Sequence, residues 1–200
     1  MAGPYGLWPG ESLSRGVFQN DSMEKRVLLV PGLRGSGPGH WQTLWESSSP
    51  CFRRVLQHDW LWPRLPDWSA AIEDAIRAEQ RDVFIVAHGF GCLATLARLA
   101  RRSADVLGVL LVAPRRPEEF GLTPPKLDIP AILVASRTDT WLGFDEAKQL
   151  AHAVNASLVD AGGLGHIDGD WPKGERVLQK LFDLADARER ELQVALTISN

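Results

Sequence analysis

Residues 83–92 have the sequence VFIVAHGFGC, in which five apolar residues lead into a turn that contains two glycines. The apolar run is typical of a strand that is buried on both faces of a parallel sheet. The residues after the turn continue with the spacing of a buried helix, with Leu93, Leu96 and Ala97 on one side. The stretch therefore predicts a central strand that passes directly into a helix, which is the repeating unit of α/β folds.

The turn from Ala87 to Gly91 has the form of a nucleophile elbow, G-x-S-x-G. An elbow holds its central residue in a strained backbone conformation and needs small neighbours where the strand and the helix approach each other. Ala87 and Gly91 are small, but the central residue is Gly89, which adopts such a backbone freely and offers no oxygen. Taken alone the signal is weak, because strand-to-helix turns with glycine are common.

Strands and helices alternate along the rest of the chain. This order predicts an α/β fold with a doubly wound sheet of about six parallel strands and helices on both faces. The connection 113–128 is the only candidate cover, and it is short for a lid, so we expect no lid domain. The predicted strands are 27–30, 53–57, 83–87, 106–113, 131–135 and 157–160, and the predicted helices are 40–46, 67–80, 91–102, 144–154 and 174–187.

The composition fits one globular domain. The chain has 200 residues, 44% hydrophobic and 24% charged, and a formal net charge of -3. We assign residues 1–22 to a flexible N-terminal extension, 23–190 to the α/β domain and 191–200 to a C-terminal tail. The absence of clustered basic residues argues against nucleic acid and anionic membranes as partners. Two cysteines, Cys51 and Cys92, are too few for a disulfide framework and lack metal-ligand spacing, which fits the cytoplasm.

A glycine-rich loop, PGLRGSGPGHW, follows the first strand at residues 31–41. Glycines let backbone N–H groups approach a ligand closely, and a helix begins nearby. The loop therefore suits an oxyanion hole or a phosphate cradle, although neither a Walker sequence nor a G-x-G-x-x-G fingerprint is present. A flexible surface loop is the alternative interpretation.

Two further loops carry residues that can act with an elbow. Asp139 follows the fifth strand and can orient an imidazole, although a lone loop aspartate is often a turn or cap residue. His166 lies in a glycine-rich loop after the sixth strand and can serve as a general base, and with Asp168 and Asp170 it forms a weak metal pattern. Elbow, aspartate and histidine occur in the chain order of α/β-hydrolase triads. We expect Asp139 and His166 to be in hydrogen-bond reach, with His166 over Gly89.

At this level of detail the chain resembles the small, lidless serine hydrolases of the YdeN type. The resemblance covers about residues 26–183, and its Gly-Pro-x-His-Trp-Gln and Gly-His-Ile…Trp-Pro elements are fairly specific. The matching segments are Val30-Pro31-Gly32-Leu33, Gly37-Pro38, His40-Trp41-Gln42, Trp62-Pro63, Asp67-Trp68, Val86-Ala87-His88, Gly91-Cys92, Asp139, Gly165-His166-Ile167 and Trp171-Pro172.

The resemblance implies a Ser–His–Asp triad that acts on small esters or amides, with no metal and no organic cofactor. Asp139 and His166 match two triad members, and the nucleophilic serine falls at Gly89. The oxyanion donors implied are the backbone N–H groups of Phe90 and Leu33. Because Gly89 lacks the oxygen, we expect a hydrolase that is inactive or severely impaired or, alternatively, a natural non-catalytic module that binds or regulates through a hydrolase pocket, including through a protein partner.

The remaining candidates have simpler interpretations. We expect His88 to be a packing and hydrogen-bonding residue and His40 to be structural at a helix start. Cys92 is expected to be a small buried side chain rather than a replacement nucleophile. Trp41 and Trp141 flank the predicted site and are candidates for lining a substrate pocket.

Overall fold

The computed structural model describes residues 25–198, so the predicted extension at residues 1–22 lies outside the described residues. Six parallel strands form one sheet in the order β2-β1-β3-β4-β5-β6. The fold class predicted from the sequence is confirmed. The strands are β1 Arg26–Val30, β2 Phe52–Arg54, β3 Val83–His88, β4 Val106–Val112, β5 Ala131–Ala135 and β6 Ser157–Asp160.

Helices cover both faces of the sheet. Along β1, Leu28 and Val30 point into one core with α2, α3 and α4, whereas Val27 and Leu29 point into a second core with α1 and α5. Side chains alternate between the faces of a strand, so a strand between two layers of helices is apolar throughout. The helices are α1 Trp41–Ser48, α2 Leu65–Glu79, α3 Phe90–Leu99, α4 Phe144–Ala153 and α5 Gly174–Ile198.

The connection between β4 and β5 contains only a short 3₁₀ helix, Pro117–Phe120. No lid domain therefore covers the carboxyl edge of the sheet within residues 25–198. Nor does this part of the chain contain a helix that is long and apolar enough to cross a membrane.

Three predicted boundaries are wrong by three residues or more, and one of them is the end of helix α3, which lies at Leu99 rather than at residue 102. Strand β2 ends at Arg54 rather than at residue 57, because β2 is an edge strand with a single neighbour, β1. Helix α5 continues past the predicted end at residue 187 to Ile198, so residues 191–198 of the assigned C-terminal tail are helical. No proline or glycine follows Gly174 in α5, and hence nothing in the sequence stops the helix.

Strand β1 and helix α3 approach each other closely at Gly91. A Cβ atom at this position would lie 2.5 Å from the carbonyl oxygen of Pro31 and 2.6 Å from that of Val30. Only glycine fits such a contact between two backbones. The contact seats the loop after β1 directly beside the turn that begins α3.

Candidate active site

The candidate site lies at the carboxyl edge of the sheet, where ligand sites of open parallel sheets form. At its centre, Gly89 joins β3 to α3 with φ +55° and ψ −121°. This backbone conformation is one that L side chains rarely adopt, and it is the strained conformation expected of an elbow residue. Gly89 thus has the backbone conformation that the sequence predicts for the centre of an elbow.

His166 and Asp139 meet beside Gly89, as the chain order predicts. His166 Nδ1 lies 2.9 Å from Asp139 Oδ2, and the Asp139 side chain is only 3% exposed. A Cβ atom at Gly89 would lie 3.2 Å from His166 Nε2. One ring nitrogen is therefore engaged by the carboxylate, and the other faces the elbow.

The other carboxylate oxygen of Asp139 stabilises a turn, which was the alternative interpretation of this residue. Asp139 Oδ1 accepts a hydrogen bond of 2.8 Å from the backbone N–H of Trp141. The two interpretations of Asp139 are compatible, because each uses a different oxygen. The turn bond fixes the carboxylate in the orientation that His166 needs.

The resemblance implies two backbone amides as oxyanion donors, those of Phe90 and Leu33. Phe90 is the first residue of α3, so its N–H has no acceptor within the helix. The loop after β1 packs against the elbow, since a Cβ atom at Gly89 would lie 3.6 Å from Gly32 Cα. Leu33 follows Gly32 directly in the chain, and it lines the same cavity as His166. The backbone hydrogen bonds between loop and turn residues in the described part of the chain use neither amide.

Gln42 anchors the loop after β1, and the sequence analysis did not single it out. Its side chain is fully buried and donates to the carbonyl oxygens of Val30 (3.3 Å) and Val86 (3.1 Å). Its Oε1 accepts from Ser36 Oγ at 2.6 Å. The loop is therefore tied to the ends of β1 and β3, which contradicts the interpretation as a flexible loop. A glutamine on the buried, tryptophan-rich face of α1 was the sequence signal for this role.

His88 supports His166 from the side of the sheet. Its Nε2–H donates to the backbone carbonyl oxygen of His166 at 2.8 Å, and the two ring centres are 4.8 Å apart. Burial lowers the pKa of His88 to about 3, so the ring is neutral at pH 7. The predicted packing and hydrogen-bonding role of His88 is confirmed.

His40 caps helix α1, as its place at the helix start predicts. Its Nδ1 accepts from the backbone N–H of Gln42 at 3.1 Å. Burial lowers the pKa of His40 to about 4. The two depressed pKa values make the site sensitive to acid, since an unfolded histidine titrates near 6.5.

We expect the free energy of unfolding to fall as the pH drops below about 6.5. In this range His40 and His88 bind protons in the unfolded chain but stay neutral in the folded protein. The free energy of unfolding therefore falls by about 1.4 kcal/mol per histidine for each pH unit, until the pKa of the folded state is reached. Urea unfolding at pH 7 and pH 5 measures it. His40→Asn, which keeps an oxygen at the cap position, should reduce the pH dependence, and an unchanged dependence would contradict the assignment.

The two tryptophans expected at the pocket have different positions. The prediction that Trp41 lines the pocket is wrong, because its side chain is only 1% exposed. Trp41 packs between Trp45 and Trp171 in the second core and donates Nε1–H to the carbonyl oxygen of Ile167. Trp141 is 47% exposed, and its ring centre lies 6.2 Å from that of His166. Trp41 is thus a core residue, and Trp141 borders the site.

Two arginines after β4 hold the Trp141 loop, and the sequence analysis missed both. The guanidinium carbon of Arg115 lies 4.0 Å from the Trp141 ring centre, and Arg116 donates to the Trp141 carbonyl oxygen at 2.6 Å. Arg116 also forms a two-point ion pair with Glu146 at the start of α4. The loop that carries Asp139 is therefore fixed from two sides.

A small cavity of about 220 Å³ lies between the loop after β1 and the His166 loop. Its lining comes from the loop after β1 and from the His166 loop, and it comprises Gly32, Leu33, Gly35, Gly37, His40, His88, His166 and Asp168. With His40 and His88 neutral, the cavity is polar and contains few charges at pH 7.

Cys92, three residues after Gly89, is not placed to act as a nucleophile. Cys92 is fully buried, its thiol donates to the carbonyl oxygen of Val112, and burial raises its pKa far above the usual range. A buried, protonated thiol is inert. Within residues 25–198, no cluster of three or more His, Cys, Asp or Glu side chains is arranged to hold a metal ion.

The sheet order, the elbow and the loops that follow β5 and β6 define the α/β-hydrolase fold. A model of the serine hydrolase family matches residues 27–180. The chain therefore belongs to the serine hydrolase family.

Its relatives include proteins of the YdeN type, as the sequence resemblance indicated. The Bacillus subtilis protein YdeN is 27% identical over 173 residues, which cover 72% of this chain and 86% of YdeN. The crystal structure of a YdeN-like protein from Pectobacterium atrosepticum superimposes with a TM-score of 0.75 at 31% identity, covering 82% of this chain and 92% of that one. The Rhodococcus esterase RhEst1 shares the fold, with a TM-score of 0.62 at 14% identity, covering 80% of this chain and 91% of that one.

Proposed function

We propose that this protein carries a site of the Ser–His–Asp type for small esters or amides, in which only the nucleophilic oxygen is missing. Asp139 and His166 are the two acid–base members, and Gly89 occupies the nucleophile position. The amides of Leu33 and Phe90 form the oxyanion hole, and Trp141 borders the substrate. The protein hydrolyses its substrates slowly as it stands. No cofactor takes part in this scheme, and the proposed location is the cytoplasm.

The observation that carries the proposal is the pair of distances around His166. Its Nδ1 is 2.9 Å from Asp139, and its Nε2 is 3.2 Å from the Cβ position of residue 89. A serine hydroxyl at this position would be within reach of Nε2, which is the relation between nucleophile and base in acyl-transfer sites. A position that had lost all use of a base would not need a buried aspartate to orient it.

A second candidate function is a natural binding or regulatory module. Gly89 itself favours this candidate, because glycine adopts the φ +55° conformation without strain. Without a side chain, it also leaves the space next to His166 open to a ligand. In this case ligands bind between the loop after β1 and His166 and leave unchanged. The two candidates differ in what happens when the missing hydroxyl is supplied.

We expect the Gly89→Ser variant to react covalently with a fluorophosphonate probe, whereas the unmodified protein does not. The serine would be activated by His166 and its phosphonyl adduct stabilised by the two amides. Intact-protein mass spectrometry measures the labelling. The matched control is Gly89→Ser combined with His166→Asn, in which labelling should be lost. A folded Gly89→Ser variant that remains unlabelled would favour the binding module.

A further inference from the structure

The space over Gly89 and beside His166 is suited to a water molecule as the nucleophile. The Cβ position of residue 89 lies 3.2 Å from His166 Nε2 and 3.6 Å from Gly32 Cα, with no closer neighbour. Because Asp139 accepts the proton on Nδ1, Nε2 is the acceptor nitrogen of the neutral ring. His166 also lines the cavity of about 220 Å³ between its own loop and the loop after β1, which is large enough to hold a water molecule. The site thus offers a base that faces Gly89 and borders a cavity with room for water.

We propose that this protein hydrolyses small esters by direct attack of a water molecule held between Gly89 and His166, without an acyl-enzyme intermediate. The inference rests on the proposed function and specifies how the unmodified chain carries it out. It requires only the groups already placed around the elbow. Water is the single co-reactant, and the products are a carboxylic acid and an alcohol.

The water oxygen forms a bond to the carbonyl carbon while His166 Nε2 takes one of its protons. The carbonyl π electrons move onto the carbonyl oxygen, which accepts hydrogen bonds from the amides of Leu33 and Phe90. The tetrahedral adduct then expels the leaving oxygen, which receives the proton from His166. Asp139 stabilises the imidazolium in between and does not change its protonation state.

Other side-chain nucleophiles near the elbow are occupied. The Cys92 thiol is buried and donates to Val112. Ser136, which lies in the same group of loops, is fully buried and donates to the carbonyl oxygen of Gly162 at 3.1 Å. The Ser36 hydroxyl donates a hydrogen bond to Gln42 Oε1. Among the described residues beside Gly89, the base His166 is therefore the group that can activate an oxygen.

The test compares rates in the unmodified Gly89 protein. We expect this protein to hydrolyse p-nitrophenyl acetate faster than the buffer alone does. In His166→Asn this excess rate should fall about 100-fold, since general-base catalysis contributes this much or more. Asp139→Asn should show a similar loss. The matched control is His152→Asn, because His152 is exposed on α4, and this variant should keep the full rate.

Two measurements on the same protein exclude a covalent route. The time course should be linear from the first turnover, and mass spectrometry during turnover should show no acetylated protein. A burst, or an acetyl group on His166, would overturn the inference, as would an excess rate that is unchanged in His166→Asn.

The outcome for Gly89→Ser separates the two proposals. If this variant is labelled and active while the unmodified protein has no His166-dependent rate, direct water attack is wrong and the proposed function stands. If neither protein is active, both proposals are wrong.

Discussion

Gly89→Ser is expected to raise the rate of hydrolysis of short p-nitrophenyl esters by about 10³-fold or more over the unmodified protein. The reason is that a serine oxygen is held covalently beside His166, whereas a water molecule must be ordered anew in each turnover. The gain should lie mainly in kcat, because the cavity that binds the acyl group is unchanged. Steady-state kinetics of the two proteins measure it.

The same substitution should lower the stability of the fold. At φ +55° a side chain is strained, and the new Cβ atom would press on His166 Nε2 at 3.2 Å. We expect a loss of about 1–3 kcal/mol in the free energy of unfolding, measured with urea.

Gly89→Ala is the matched control, since alanine brings the same strain and the same Cβ atom without the hydroxyl. It should lose stability and gain no activity. If Gly89→Ala gained as much activity as Gly89→Ser, the triad assignment would fail.

Gly91→Ala is expected to destabilise the protein by about 3 kcal/mol, at the upper end of the range for overpacking. In an ordinary helix the exchange of glycine for alanine adds about 1 kcal/mol of stability, so the expected effect has the opposite sign. The cause is the Cβ position at 2.5 Å and 2.6 Å from two backbone carbonyl oxygens. Backbone atoms cannot rotate away as a flexible side chain can.

The control for this prediction lies in the loop after β1. A Cβ atom at Gly39 would have no neighbour within 4 Å, so Gly39→Ala should be nearly neutral. In the Gly89→Ser background, Gly91→Ala should also reduce the rate of ester hydrolysis, because displacement of Pro31 moves the amide of Leu33. Equal stabilities of the Gly91→Ala and Gly39→Ala variants in urea would contradict the proposed close approach.

Much of the fold was predictable because parallel strands between two layers of helices are apolar throughout, as residues 83–87 illustrate. The pairing of Asp139 with His166 was predictable for a related reason. Loops that follow parallel strands meet at one edge of the sheet, and the chain order restricted the candidates to two residues. The elbow could be located even with glycine at its centre, because its small neighbours are a backbone requirement.

Other features depend on contacts that no local pattern reveals. Trp41 follows a glycine-rich loop and therefore suggested a pocket, but its surroundings come from Trp45 and from Trp171, which is distant in the chain. The pKa of His88 depends on complete burial under the His166 loop, which the sequence does not show. Helix α5 extends beyond its predicted end at residue 187, because no glycine or proline after Gly174 stops it.

Gln42 ties Ser36 in the loop after β1 to the ends of β1 and β3, through the carbonyl oxygens of Val30 and Val86. The position of this loop beside the elbow is thereby set by the sheet and not by the loop alone. The entropy lost in ordering this part of the chain accompanies folding and does not recur with each ligand. We therefore expect ligands of this site to be distinguished by their fit to a preformed shape.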